Sequence, residues 1–303
     1  MSDLPQRITI TESASRDGLQ SLGAFVPTSA KIGLIDDLAR AGVRSFDAVS
    51  FVSPKAVPQM ADGADVVAGV RRLEGMTLFG LVPNLKGLEA ALAAGVDGIG
   101  VLTAASDTFN ERNINATVDE SMHRIRSILL EVPEDIVVRG YVSTATHCPF
   151  EGDQDPDWVA HLAETLMEWG VHALFLGETL GQATPAHVDR LLDEVLDRVP
   201  IEMVGVHFHD TYGQAIANTV TALERGIAMM DASAGGLGGC PYAPGASGNV
   251  ATEDVLWLLD GLGIEHGLDS VAIARVARRF CTDHNLTYNS DAGRAMLAAG
   301  DAK

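Results

Sequence analysis

Eight short apolar or β-branched runs, at residues 8–13, 45–50, 77–83, 98–103, 137–143, 173–179, 203–209 and 229–235, are separated by longer segments with helical periodicity. This alternation constrains the fold more than any other feature, because each strand-length run is followed by enough chain for a helix that returns to the same sheet. Residues 30–41 place Ile32, Ile35, Leu38 and Ala39 on one stripe, and residues 158–169 repeat the pattern with Val159, Leu162, Leu166 and Trp169. The joints recur as Ala41-Gly42-Val43, Ala94-Gly95-Val96, Trp169-Gly170-Val171 and Arg225-Gly226-Ile227. Each puts glycine where a helix ends and a left-handed cap is needed.

With no break in composition along 303 residues, the pattern predicts one α/β domain over residues 1–303, a (β/α)8 TIM barrel, ahead of an open doubly wound sheet. No phosphate-cradling Gly-x-Gly-x-x-Gly follows the first run, which weakens a dinucleotide-binding reading. Residues 235–249 carry glycine at 235, 236, 238, 239, 245 and 248 around Cys240, and so glycine-rich a segment suits a lid loop. Residues from about 256 to 303 form a C-terminal helical extension with Val271, Val276 and Phe280 on a stripe. Two packings fit it equally, across the barrel or toward a second subunit.

The net charge of −20 argues against nucleic acid or an anionic membrane as partner, since both need clustered Lys and Arg. A small anionic substrate needs only a few local cations. Cys148, Cys240 and Cys281, with no Cys-x-x-Cys pair, suggest neither a disulfide framework nor a zinc site and suit a reducing cytoplasm. No run is apolar for long enough to span a membrane or serve as a signal peptide, so a soluble cytoplasmic protein is expected.

Barrel enzymes place their chemistry at the C-terminal strand ends, here residues 12–20, 47–51, Asn84, Ser143, Glu178, Thr179 and 207–210. His207 and His209 close an apolar run, and strand alternation points both the same way, with Phe208 opposite. Such a pair either grips one metal ion or forms a hydrogen-bonded pair at the rim. Asp17 adds an oxygen, because strands one and seven lie one strand apart in a closed barrel, and the amide oxygen of Asn249 completes a set of four. Asp, His, His and Asn, with water, suit an octahedral Mg2+ or Mn2+ more than a tetrahedral structural zinc.

An ion of that kind can chelate a hydroxyl and a carboxylate of one substrate and lower the hydroxyl's pKa. Alone, Arg16 and Asp17 would read as a surface ion pair. With ligands converging there, Arg16 is placed to stabilise an enolate oxygen as it develops. Gln20, Asp47, Ser50, Glu178 and Thr179, at neighbouring strand ends, are the further expected substrate contacts. The parts suit C–C cleavage or formation through an enolate.

Seven motifs carry a more specific likeness: Arg-Asp-Gly-Leu-Gln at 16–20, Ser-Phe-Val-Ser-Pro-Lys at 50–55 with Val-Pro-Gln-Met at 57–60, Pro-Asn-Leu-Lys-Gly at 83–87, Arg-Gly-Tyr-Val-Ser at 139–143, His-Asp-Thr-Tyr-Gly-Gln-Ala at 209–215, Gly-Leu-Gly-Gly-Cys-Pro-Tyr-Ala at 236–243 and Gly-Ala-Ser-Gly-Asn at 245–249. Through them the chain resembles the 3-hydroxy-3-methylglutaryl-CoA lyase family, within the wider group of metal-dependent aldolase and Claisen-type barrels. The resemblance implies Asp17, His207, His209 and Asn249 as ligands of Mg2+ or Mn2+, Arg16 as the enolate-stabilising arginine, and Cys240 as a loop cysteine at or near the final proton donor. It implies cleavage of an acyl-CoA substrate to a ketoacid (acetoacetate) and acetyl-CoA.

Departures from the family pattern bear on substrate. Asp47 and Glu178 stand where the family carries Glu and Asp, so the two carboxylates are expected to face one cavity and exchange reach. Segments 21–23 and 282–290 hold no Lys or Arg, leaving Lys55 or Lys86 as the expected cation for CoA phosphates, while His147 and Phe208 replace smaller residues and are expected to reshape the pocket. The alternatives are a Claisen-type synthase or oxo-acid aldolase on the same barrel, cleavage of a related thioester such as citramalyl-CoA, and a non-catalytic binding barrel. A homo-oligomer, dimer or higher, is expected.

Overall fold

Each of the eight apolar runs becomes one strand of a closed parallel barrel in the computed structural model, which describes residues 4–239 and 248–301. The strands are β1 Thr9–Glu12, β2 Ser45–Ser50, β3 Thr77–Leu81, β4 Gly98–Ala104, β5 Val137–Ser143, then after a short antiparallel ribbon of β6 His147–Cys148 and β7 Gly152–Asp153, β8 Ala173–Glu178, β9 Val204–Phe208 and β10 Met229–Ala232. They close in the order β1-β10-β9-β8-β5-β4-β3-β2, so β1 and β9 flank β10, as metal coordination across that edge requires. The ribbon had no sequence signal, because two residues per strand show no periodicity. Among the described residues no helix is long and apolar enough to cross a membrane.

The barrel is sealed outside by amphipathic helices whose buried stripes sit slightly off those expected. Helix Thr28–Arg40 buries Lys31, Leu34, Ile35, Leu38 and Ala39, while Ile32 is half-buried. Lys31 takes the place on the stripe because its ammonium finds Asp62 at 2.6 Å and the carbonyl of Gln59, so its stem packs inside without leaving a bare charge. The C-terminal segment packs across its own barrel. Helix Ser270–Asp283 lies on helix Thr28–Arg40 and on the turn Ala234–Gly236, burying Ile273, Ala274, Ala277, Phe280 and Cys281 with Val271 and Val276 at the margins. Burial pushes the Cys281 thiol up to about 12, which leaves it a small apolar filler, whereas Cys148, also buried, has its sulfur against Ser106 Oγ (2.9 Å) and accepts from Phe150 N (3.4 Å).

Inside, the barrel departs from the apolar core the strand composition suggested. Arg139 of β5 lies 3.7 Å from the centroid of Phe79 and 5.2 Å from that of Phe175, and donates to Thr11 Oγ1 (2.8 Å) and Ser45 Oγ (3.1 Å). The ring faces and hydroxyls compensate the buried cation. Inward-facing glycines make room for these rings: a Cβ on Gly98 would lie 2.4 Å from the Phe79 ring, and one on Gly205 2.6 Å from that of Phe175. The polar floor leads upward to Asp47, Asp231 and the mouth.

Candidate active site

The site is assembled from four strand exits. β9 ends with inward-facing His207, and His209 follows it, bridged through its backbone to Asn249. His207 Nε2 and His209 Nε2 lie 3.3 Å apart, and each is 3.9 Å from Asp17 Oδ2. Asp17 opens a single helical turn, Asp17–Gln20, beyond β1, a turn that Gly18 lets sit against the β10 exit, where a Cβ would meet Leu237 at 3.0 Å. One ligand atom from each of Asp17, His207 and His209 lies within 4.8 Å of the others, which fits a single metal ion. His207 Nδ1 is held at 3.1 Å by Asp231, a buried carboxylate of β10, so the tautomer is fixed with Nε2 free toward the centre.

Asn249 adjoins the triad but presents its amide nitrogen, which donates to Asp17 Oδ2 (2.8 Å) and to the carbonyl of Leu237 (3.1 Å). A half-turn of the amide exchanges donor for acceptor at the same place. Cys240 lies outside the described residues. Its neighbour Gly239 lines the cavity.

Arg16 is clamped between two carboxylates. Its Nε donates to Asp47 Oδ2 at 2.6 Å, Nη2 contacts the same oxygen, and Nη1 reaches Asp17 Oδ1 at 2.7 Å. A bulge in the β2–β3 pairing between Asp47 and Val49 adjusts this strand end, and Ser15 Oγ ties the Arg16 turn to it through the carbonyl of Ala48 (3.0 Å). Burial would raise the Asp17 carboxyl, but Arg16, His207 and His209 hold it well below the usual carboxylate range. Burial first, and then repulsion from His207, pull His209 down to about 4, so its imidazole is neutral and available to a metal. Burial acts to lower His207 as well, but Asp231 and Asp17 outweigh it and raise its pKa.

The triad opens into a cavity of about 530 Å3, within the range of small-molecule sites. Arg16, Asp17, Gln20, Thr179, His207 and His209 line it. Gln20 Nε2 donates to Asp17 Oδ1 at 3.0 Å, and Thr179 Oγ1 accepts from Thr144 N at 2.8 Å. Asp47 is one side chain removed, behind Arg16, and Ser50 Oγ is buried without a hydrogen-bond partner among the described residues. Glu178 does not face the cavity. Its carboxyl accepts from Gln182 N (3.2 Å) and Thr146 Oγ1 (3.4 Å), on the face of β8 opposite the lining residues Gly177 and Thr179, so the expected exchange of reach between Asp47 and Glu178 does not hold. Phe208 also points away, into the core, and His147 pairs with Asp153 in the ribbon (2.9 Å). Lys55 and Lys86 are exposed and line no part of the cavity.

The HMGL-like family model matches residues 7–279. The chain belongs to the HMGL-like family. It is 46% identical over 297 residues, 98% of this chain and 99% of the other, to a protein of Pseudomonas aeruginosa named 3-hydroxy-3-isohexenylglutaryl-CoA/hydroxy-methylglutaryl-CoA lyase. The crystal structure of hydroxymethylglutaryl-CoA lyase from P. aeruginosa superposes with a TM-score of 0.95 at 45% identity, covering 98% of this chain and 99% of that one. An Acinetobacter baumannii HMG-CoA lyase solved with coenzyme A and 3-methylmalate gives 0.92 at 36% identity, covering 97% of each.

For this HMGL-like chain, sequence reasoning passed over Asp231, although an Asp between Met230 and Ala232 in an apolar strand was a usable signal. It also left out a second buried pair behind the triad. Glu12 Oε1 accepts from the amides of Ala14 (3.0 Å) and Ala234 (2.8 Å), and its Oε2 accepts from Thr252 Oγ1 (2.7 Å). Glu253 accepts from Gly235 N and from the Tyr288 hydroxyl at 2.9 Å. The two carboxyls thus pin the β10 exit from both sides. Burial raises each to about 7, against the hydrogen bonds that favour the charged form.

A carboxyl whose folded pKa is raised contributes stability below its unfolded value near 4.5 that is lost as pH rises through about 7. Glu253→Gln, which cannot ionise, is therefore expected to lose about 2–3 kcal/mol less stability than the parent between pH 5 and pH 8. Urea denaturation at the two pH values measures this; parallel pH slopes for both proteins would contradict it.

Proposed function

We propose that this protein is a divalent-metal-dependent lyase that cleaves 3-hydroxy-3-methylglutaryl-CoA to acetoacetate and acetyl-CoA. The observation that carries the reading is Arg16, fixed between Asp47 and Asp17, beside the Asp17–His207–His209 triad in one cavity. Mg2+ or Mn2+ suits the mixed oxygen and imidazole donors, with Asn249 as the fourth ligand once its amide oxygen faces inward. A divalent ion held there supplies Lewis acidity to the substrate's hydroxyl oxygen.

The remaining work falls to the chain. Loss of the tertiary hydroxyl proton lets that oxygen form a ketone as the C–C bond breaks, and the bonding pair passes to the carbon α to the thioester carbonyl, with the charge of the resulting enolate on the thioester oxygen. Arg16 needs no reorganisation to receive the developing oxyanion, since two carboxylates already hold its guanidinium plane. Gln20 orients Asp17, and Thr179 borders the reacting end. Cys240, next to cavity-lining Gly239, is our assignment for the donor that protonates the enolate carbon. A synthase, an oxo-acid aldolase or a citramalyl-CoA lyase is not favoured, because relatives that match this chain nearly end to end are named as hydroxymethylglutaryl-CoA lyases. The sparse cysteines support a cytoplasmic location, and exposed Trp257 (63%) and Leu262 (38%) on one helix support a homo-oligomer.

With added Mg2+ or Mn2+, the protein is expected to release acetoacetate and acetyl-CoA in equal amounts from the CoA thioester and nothing from the free acid. Liquid chromatography of the products checks it. Turnover of free acids alone would remove the thioester from this reading.

A further inference from the structure

The turn Ala234–Gly236, which follows β10, has little stiffness of its own. Gly235 (φ 70°) and Gly236 (φ 60°) are both left-handed, and glycine brings no side chain to lock such a bend. Its shape is therefore set by what grips it. Glu12 takes the Ala234 amide from the barrel side, and Glu253 takes the Gly235 amide. The C-terminal segment supplies the rest: Asn289 N donates to the Gly235 carbonyl at 2.8 Å, and the Tyr288 hydroxyl donates to Glu253 Oε1 at 2.9 Å.

These contacts reach Asn249 in a few atoms. A Cβ on Gly235 would lie 3.0 Å from the Tyr288 ring, and one on Gly236 would lie 3.1 Å from the Asn289 Cβ and 3.5 Å from the Asn249 carbonyl oxygen. Asn289 and Asn249 thus meet over the space that Gly236 leaves open. One residue on, the Leu237 carbonyl accepts from the Asn249 side-chain amide at 3.1 Å. A shift at Gly235 is therefore passed to the Asn249 amide group through a short stretch of backbone. Tyr288 is seated in turn by helix Asp291–Asp301, where buried Gly293 lies so near its hydroxyl that a Cβ there would overlap it. Neither Glu253 nor Tyr288 lines the cavity, so any effect on the reaction is indirect.

We infer that Tyr288 is a positioning residue for the divalent ion, acting through Glu253 and the Ala234–Gly236 turn to hold Asn249 against the Asp17–His207–His209 triad. This rests on the reading of Asn249 as the fourth ligand. It gives the metal centre a support outside the barrel, in a helix that packs on helices Thr252–Leu262 and Ser270–Asp283.

The test is calorimetric titration of the metal-free, full-length protein with Mn2+. Tyr288→Phe keeps the ring and removes the hydroxyl, and it is expected to weaken Mn2+ about tenfold, the lower end of the loss for a group that orients a ligand. Gly293→Ala favours the helix but displaces the hydroxyl, and should weaken Mn2+ similarly. Leu297→Ala, buried one turn further along the same helix, is the comparison: its thermal unfolding temperature falls while its Mn2+ affinity stays at the parent value. In steady-state kinetics Tyr288→Phe needs more Mn2+ for half-activation, and excess Mn2+ restores its kcat. Parent-like Mn2+ affinity in Tyr288→Phe overturns the inference, as does an equal loss in Leu297→Ala, which would reduce the segment to a support for the fold. Weakened Mn2+ in Tyr288→Phe beside a parent that cleaves no thioester retires the lyase reading alone. Cleavage by the parent with Mn2+ affinity blind to Tyr288 retires this inference alone, and a parent that takes up no Mn2+ retires both.

Discussion

Arg16→Gln lowers kcat by about 10²–10³, the range expected when one preorganised donor to a developing oxyanion is removed. Arg16→Lys falls nearly as far. The guanidinium uses Nε and Nη2 on Asp47 and Nη1 on Asp17, and an ammonium offers one charged point in place of that planar fork. Lysine therefore holds one carboxylate at a time and leaves the oxyanion donor unaligned. KM moves less than kcat, because the interaction strengthens only as charge builds on the oxygen. Steady-state kinetics at saturating metal is the measurement. A glutamine variant within tenfold of the parent kcat would take Arg16 out of the chemistry and leave it as a clamp for Asp17.

Asp17→Asn and His209→Ala each reduce turnover at least about 10³-fold and abolish metal retention, the larger of the two main effects. With three protein ligand atoms grouped within 4.8 Å, losing one leaves an incomplete grip, and water does not replace its charge or its aim. Asp231→Ala acts through His207, whose ring it orients at 3.1 Å, and costs about 10–100-fold in metal affinity while leaving all three ligands present. Elemental analysis after dialysis, beside activity with metal restored in excess, separates the cases: excess metal rescues Asp231→Ala and rescues neither ligand variant. Full activity in the chelator-treated parent would dismiss the metal altogether.

Much of this was legible because it depends on periodicity. The eight strands, their order and the shared face of His207 and His209 follow from alternation and from closure of a parallel barrel, and Asp17 follows from the adjacency of strand exits. What was not legible depends on which way a residue turns after its strand has ended. Glu178 closes β8 on the outward face and is taken up by the Gln182 amide, a choice that no strand-end inventory reveals. Tyr288 escaped for another reason: it comes from the segment between the last two helices, whereas attention to barrel loops favours short segments next to strand ends. Lys31 shows the limit of apolar counting, since a lysine with Asp62 at hand occupies a core stripe.

The glycine-rich segment is rooted in the barrel at a single narrow point. Gly238 (φ 143°) and Gly248 (φ 93°) come so close that a Cβ on Gly248 would fall 2.5 Å from the Gly238 carbonyl, while a Cβ on Gly238 would strike the Asn249 amide at the same distance. The chain leaves and re-enters through one gate, already closed by backbone contacts that the intervening residues need not supply. Loop-closure entropy rises only by about 0.6 kcal/mol for each doubling of length. Extending the stretch between them therefore costs the fold little, whereas a side chain at either glycine would push the two backbone segments apart and displace Asn249 beside the triad.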